Sequence, residues 1–133
     1  MTFTEYCEEL QADIISAYES SPNLNEAEKL AAKFLNAMIE TGKELQSCDL
    51  DFRMKRSGLK AIKGAVYLEA ATKDAKKPSD VLIAALVDTD KLVISAQEAA
   101  DAAEVYKNQL ENYLSVFREA HIFMRGCAKG RFE

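Results

Sequence analysis

LVISAQEAADAAEVYKNQLENYLSVFREAHIFMR, residues 92–125, decides the fold class. Within it Leu92, Ala96, Ala99, Ala103, Tyr106, Leu110, Tyr113, Phe117, Ala120 and Met124 follow one another at steps of four and three. That spacing is a heptad seam. No Pro or Gly interrupts it. At about 1.5 Å per residue the stretch predicts a helix roughly 50 Å long. A helix of that length in so small a chain packs lengthwise on another long helix, its own or a neighbour's.

A second seam lies upstream. Asn25 and Glu28 have capping-box spacing. From there Ala27, Ala31, Phe34, Met38, Thr41, Leu45, Cys48 and Phe52 step by four and three again. Gly42 inside this run predicts a close-packing point, because Gly costs a helix about 1 kcal/mol against Ala. Two seams of equal period predict helices packed side by side at a shallow angle.

The remaining elements are shorter. Thr2 and Glu5 predict the start of a first helix, with Phe3, Tyr6, Cys7, Leu10, Ile14, Ala17 and Tyr18 on one face. Pro22 ends it, since the residue before a proline avoids the helical region. Ser57-Gly58 leaves open whether the second helix bends or continues. Thr72 to Pro78 reads as a loop. Ser79 caps a short helix over Val81–Val87; the same apolar run could form a strand, but no partner strand exists for it. Asp88-Thr89-Asp90 caps the long helix, and Gly126 and Gly130 suit its C-terminal end. The expected architecture is all-α, a single domain formed as an elongated bundle of long antiparallel helices with coiled-coil-like seams.

Charge is segregated along the chain. Residues 1–52 carry eleven acids and three bases, and residues 78–133 nine acids and six bases. Between them, residues 53–77 carry eight bases (Arg53, Lys55, Arg56, Lys60, Lys63, Lys73, Lys76, Lys77) against two acids. A positive stretch between acidic flanks attracts phosphates or pairs with carboxylates of the bundle such as Glu40, Glu44, Asp49 or Asp51.

Little points to catalysis. His121 stands alone beside the seam and reads as a helix-flank residue. No Gly-rich loop precedes a helix. Asp49/Asp51 and Asp88/Asp90 lack the further oxygen ligands a divalent cation requires. No catalytic residue, metal site or cofactor is expected. Three widely spaced cysteines, Cys7, Cys48 and Cys127, predict reduced thiols in a cytoplasmic protein, the first two buried. No apolar run reaches the roughly 20 residues of a membrane span, and MTFTEYCEEL is too acidic for a secretory signal. The aromatics lie mostly on the seams. Only Tyr67 falls within the basic segment, where it reads as a base-stacking platform or a packing residue.

Residues 53–93, RMKRSGLKAIKGAVYLEAATKDAKKPSDVLIAALVDTDKLV, run from a basic helix through a Lys/Pro loop and a short apolar segment to an Asp-rich cap. NQLENYLSVFREAHIFMRGCAKGRFE then closes a long helix with a basic tail. This layout, over roughly residues 50–130, resembles the UvsY-type recombination mediators of tailed phages. The resemblance implies a small helical protein that forms a ring-like homo-oligomer, binds single-stranded DNA without sequence preference and loads a strand-exchange recombinase. Arg53, Lys55, Arg56, Lys60 and Lys63 match the basic helix of that family and are the expected nucleic-acid-binding residues. The acidic N-terminal half departs from a simple DNA binder. A different expectation follows from that half: a helical adaptor, inhibitor or chaperone that binds another protein and no nucleic acid.

Overall fold

The computed structural model describes residues 1–73 and 79–130. Four α-helices make up the described chain: α1 (Phe3–Ser20), α2 (Leu24–Thr72), α3 (Asp80–Thr89) and α4 (Lys91–Ala128). The fold is all-α, as the seams predict. Lys76, Lys77, Pro78 and Arg131, on which part of the basic segment, the loop and the tail rest, lie outside the described residues. Among the described residues no helix is long and apolar enough to cross a membrane.

The local signals act where the sequence places them, with one shift. Thr2 and Glu5 form the capping box of α1. Ser21 closes that helix in the left-handed region, at φ 49°. α2 starts earlier than the Asn25/Glu28 spacing predicts. Asn23 is its cap: Asn23 Oδ1 accepts from the Glu26 backbone N–H at 2.9 Å, and Asn23 Nδ2 donates to Glu26 Oε1 at 3.1 Å. The Asn-x-x-Glu pattern occurs twice here, at Asn23/Glu26 and at Asn25/Glu28. The helix takes the earlier pair, which starts it two residues sooner, directly after Pro22. α2 runs through Ser57-Gly58 without a break. Ser79 caps α3, and Asp90 caps α4 through the Leu92 and Val93 N–H groups.

The chain forms two compact units. The first comprises Met1–Gln46 and Asn108–Glu133. Its core joins Cys7, Leu10, Ile14 and Ala17 of α1, Ala31, Phe34 and Ala37 of α2, and Phe117, Ala120 and Met124 of α4. Alanines at four of these positions let the helices approach closely around the two phenylalanine rings. His121 lies at this flank, where its Nδ1–H donates to the Ala31 carbonyl at 2.8 Å and ties α4 to α2. Lys33 and Asp13 pair at 2.8 Å between α2 and α1.

The second unit, Ser47–Lys107, packs the C-terminal part of α2 against α3 and the start of α4. Ile83, Val87 and Val93 form its centre, flanked by Leu59, Ile62, Val66, Ala70 and Ala71. Here the predicted seam of α4 is displaced by one residue. Leu92 and Ala99 face solvent, while Val93 and Ala100 are buried. Both sets fit a heptad. The short turn at Asp90 brings Val93 onto Ile83 and Val87, and that docking selects the buried set. From Ala103 onward the predicted seam is the buried one: Ala103, Leu110, Phe117, Ala120 and Met124. Gly42 has open space where a Cβ would stand, so nothing among the described residues packs closely on it.

The thiols separate by environment. Cys7 and Cys48 are buried and Cys127 is half-buried. In the native protein a thiol reagent is expected to titrate Cys127 first and to reach Cys7 and Cys48 only on unfolding. Rapid native modification of Cys7 would contradict its place in the core.

Burial pushes the Cys7 thiol from its ordinary 9.0 up to about 11, with a smaller opposing pull from the Thr41 hydroxyl and a further rise from Glu44 and Glu8. Burial also raises Tyr6, Tyr18 and Tyr113. A raised folded-state pKa means the folded chain holds its proton more tightly. The stability so gained is complete below pH 9 and is lost as pH rises toward 11. For Cys7 alone it amounts to about 2–3 kcal/mol. Urea midpoints measured from pH 7 to 11 are therefore expected to fall above pH 9, and less steeply in Cys7→Ala than in wild type.

Candidate nucleic-acid interface

The basic residues belong to the second unit, on the part of α2 after Ser47. Helical periodicity arranges them. Arg53, Arg56, Lys60 and Lys63 step by three, four and three, which keeps them in one row along the helix surface. With Ser57 and Leu59 they line an open groove of about 510 Å³. Lys55 falls outside this row. Its ammonium pairs with Asp51 at 3.0 Å, one helical turn back. The structure thus brings together four of the five expected residues and separates the fifth, because two residues along a helix turn a side chain to a different face.

The four differ in how free they are. Arg53 Nε contacts Asp49 Oδ2 at 3.1 Å, and the other oxygen of Asp49 receives Lys107 Nζ at 3.5 Å. Asp49 is therefore shared between α2 and α4. The guanidinium of Arg53 is three-quarters exposed, so the pair is a surface one, worth at most about 1 kcal/mol and open to exchange with a phosphate. Arg56 lies over the Phe52 ring at 5.6 Å from its centroid, and Lys107 approaches the same ring at 5.4 Å. Phe52 is buried between these cations and offers no face to a base. Arg56 also lines a second groove, of about 290 Å³, together with Asp101 and Glu104 of α4. Those carboxylates repel an incoming phosphate there. Neither they nor Lys107 could be assigned to the site from sequence, because they come from a segment some fifty residues away and share no motif with it.

Lys60 and Lys63 make no ion pair among the described residues. Lys63 stands beside Asp88 and Glu98 along a further groove, and Lys60 borders the basic one. Tyr67 extends the row by one more turn, four residues beyond Lys63, and its side chain is exposed. Lys73 is also exposed.

No family model, curated protein or solved structure matches this chain. Its chemistry therefore has to be read from the row itself. Among the described residues no three His, Cys, Asp or Glu side chains converge on a point that could hold a metal ion. The row presents cations and one exposed aromatic on a convex helix. It has no enclosed cavity that would exclude water from a reacting group. Such a surface suits a polyanion held along its length.

Proposed function

We propose that the protein is a non-enzymatic accessory protein for single-stranded DNA, similar to the UvsY-type recombination mediators, and that it works as a homo-oligomer. The observation that supports this most is the single row of Arg53, Arg56, Lys60, Lys63 and Tyr67 on α2, with both lysines free of ion pairs among the described residues. Phosphates would track the four cations and release counterions, and a base would stack on Tyr67. Contacts of this kind, to phosphates and to the face of any base, carry no sequence information, so binding would be independent of sequence. Lys55, held by Asp51 on a different face, drops out of the phosphate-binding set. Repetition of the row around an oligomer would offset the weakness of one short helix face, by raising the effective concentration of each further contact. A strand-exchange recombinase is the protein partner that the resemblance adds.

The other reading is a helical adaptor that binds protein only. Asp49, Asp51, Asp101 and Glu104 favour it, because they already neutralise or face three of the five cations. Fluorescence anisotropy with a labelled oligonucleotide of mixed sequence separates the two. The DNA reading expects binding at low salt that weakens linearly in log-log form as salt rises. No binding at low salt would remove it and leave the adaptor.

A further inference from the structure

We propose that the two flanks of the cation row make it selective for a single strand over a duplex. The inference rests on the DNA reading and adds what the row refuses. Every residue it uses belongs to the second unit, Ser47–Lys107.

On a helix, the positions just before and just after a residue lie about 100° to either side of it. The row therefore has two flanks. On the earlier side stand Phe52 and Leu59, one position before Arg53 and Lys60. Both line the groove of about 290 Å³ against α4, where Arg56 faces Asp101 and Glu104. A further groove, of about 300 Å³, sets Lys63 against Asp88 and Glu98. Gln97 lines both, so the two follow one line between α2 and α4. Glu98, Asp101 and Glu104 succeed one another at steps of three along α4. Among the described residues none of the three makes an ion pair. The Gln97 amide donates to Asp101 at 2.9 Å, a neutral partner that leaves the charge in place. One flank of the row is thus a line of carboxylates.

The later side is different. Met54, Ser57, Ala61, Gly64 and Leu68 stand one position after Arg53, Arg56, Lys60, Lys63 and Tyr67. With Leu50 they form an uncharged, exposed stripe at steps of four and three. Leu50, Met54 and Leu68 are 61, 65 and 63% exposed. A strand whose phosphates follow the row has one side to which it can turn its bases. The carboxylates repel its backbone, and the apolar stripe takes the base faces out of water.

A duplex meets both flanks badly. Its bases are stacked inside it and have no face to offer the stripe. It also carries a charge every 1.7 Å or so of its axis, against about 3.4 Å for one strand. A helix held in the major groove has a phosphate backbone on each side. For α2 one backbone would meet the carboxylates of α4, and the other would meet Leu50, Met54 and Leu68. Neither flank supplies a cation. Like charge placed against the wrong partner is a general source of specificity.

Fluorescence anisotropy with one labelled oligonucleotide, single-stranded and annealed to its complement, tests this at fixed salt. Wild type should hold the single strand at least about fivefold more tightly than the duplex. The variant Glu98→Gln/Asp101→Asn/Glu104→Gln should gain more on the duplex than on the single strand. A control with the same charge change on exposed positions of the first unit, Glu9→Gln/Glu19→Gln/Glu28→Gln, should gain equally on both. Met54→Gln/Leu68→Gln should weaken the single strand and spare the duplex. All the substituted positions are exposed, and melting curves verify that the variants stay folded. A wild type that binds both forms equally overturns the inference and leaves the DNA reading standing. So does an α4 variant that gains equally on both forms, as the control does. Unchanged single-strand affinity in Met54→Gln/Leu68→Gln overturns the placing of the bases on the stripe. A wild type that binds neither form removes the DNA reading, and the inference with it.

Discussion

Phe117→Ala is expected to destabilise the protein by about 3–5 kcal/mol, and Leu110→Ala by about 2–5 kcal/mol. Phe117 is fully buried and Leu110 is 1% exposed. The Phe117 ring lies nearly parallel to that of Tyr113, at 6.0 Å between centroids. Truncation removes the ring from a layer formed by α1, α2 and α4 together, so no single helix can shift to refill the space. The alanines that surround it, at 31, 37 and 120, have no longer side chain to lend. Domains of this size have a total stability of about 5–15 kcal/mol, so roughly a fifth or more of it rests on this one ring. Chemical denaturation of both variants at pH 7 gives the measurement. Unchanged midpoints in both would show that the α4 seam does not face the core.

The second large effect is expected on DNA. Replacing Lys60 and Lys63 together with Glu should abolish most single-strand binding at low salt. It should also reduce the salt slope by about 1.4, or about 0.7 for each phosphate no longer neutralised. The slope is the more informative quantity, since it counts neutralised phosphates, whereas affinity also responds to damage elsewhere. Melting curves should stay close to wild type. Lys60 is exposed, and neither lysine has a carboxylate partner to lose among the described residues. Lys55→Glu serves as the contrast. It removes a surface pair with Asp51 and should leave the slope alone, because Lys55 lies off the row. If the double reversal lowered stability and left binding unchanged, the row would be holding carboxylates of the protein instead of phosphates.

Helix placement was legible in the residues because its causes are local. Thr2/Glu5, Ser79 and Asp90 cap the helices they precede, since a side-chain oxygen within three residues satisfies a free N–H wherever the rest of the chain goes. The buried set from Ala103 to Met124 was legible for a similar reason: five apolar positions on one stripe have one way to leave water. The candidate site was legible in part. Spacing puts Arg53, Arg56, Lys60 and Lys63 in a row, but whether each charge is free depends on Asp49, Lys107, Asp101 and Glu104.

What the residues determined by themselves is thus the all-α class, three of the four helix starts, the seam of α4 beyond Ala103 and the positive row on α2. Tertiary structure alone decided the rest. The start of α4 carries two heptad-compatible apolar sets, and only the docking of Ile83 and Val87 on Val93 buries one and exposes Leu92. Gly42 could have been a contact point of the bundle, and only the position of the neighbouring helices shows that nothing among the described residues reaches it. Periodicity reports which faces a helix can bury. Which of them it does bury depends on where the other helices lie, and that is a property of contacts distant in sequence.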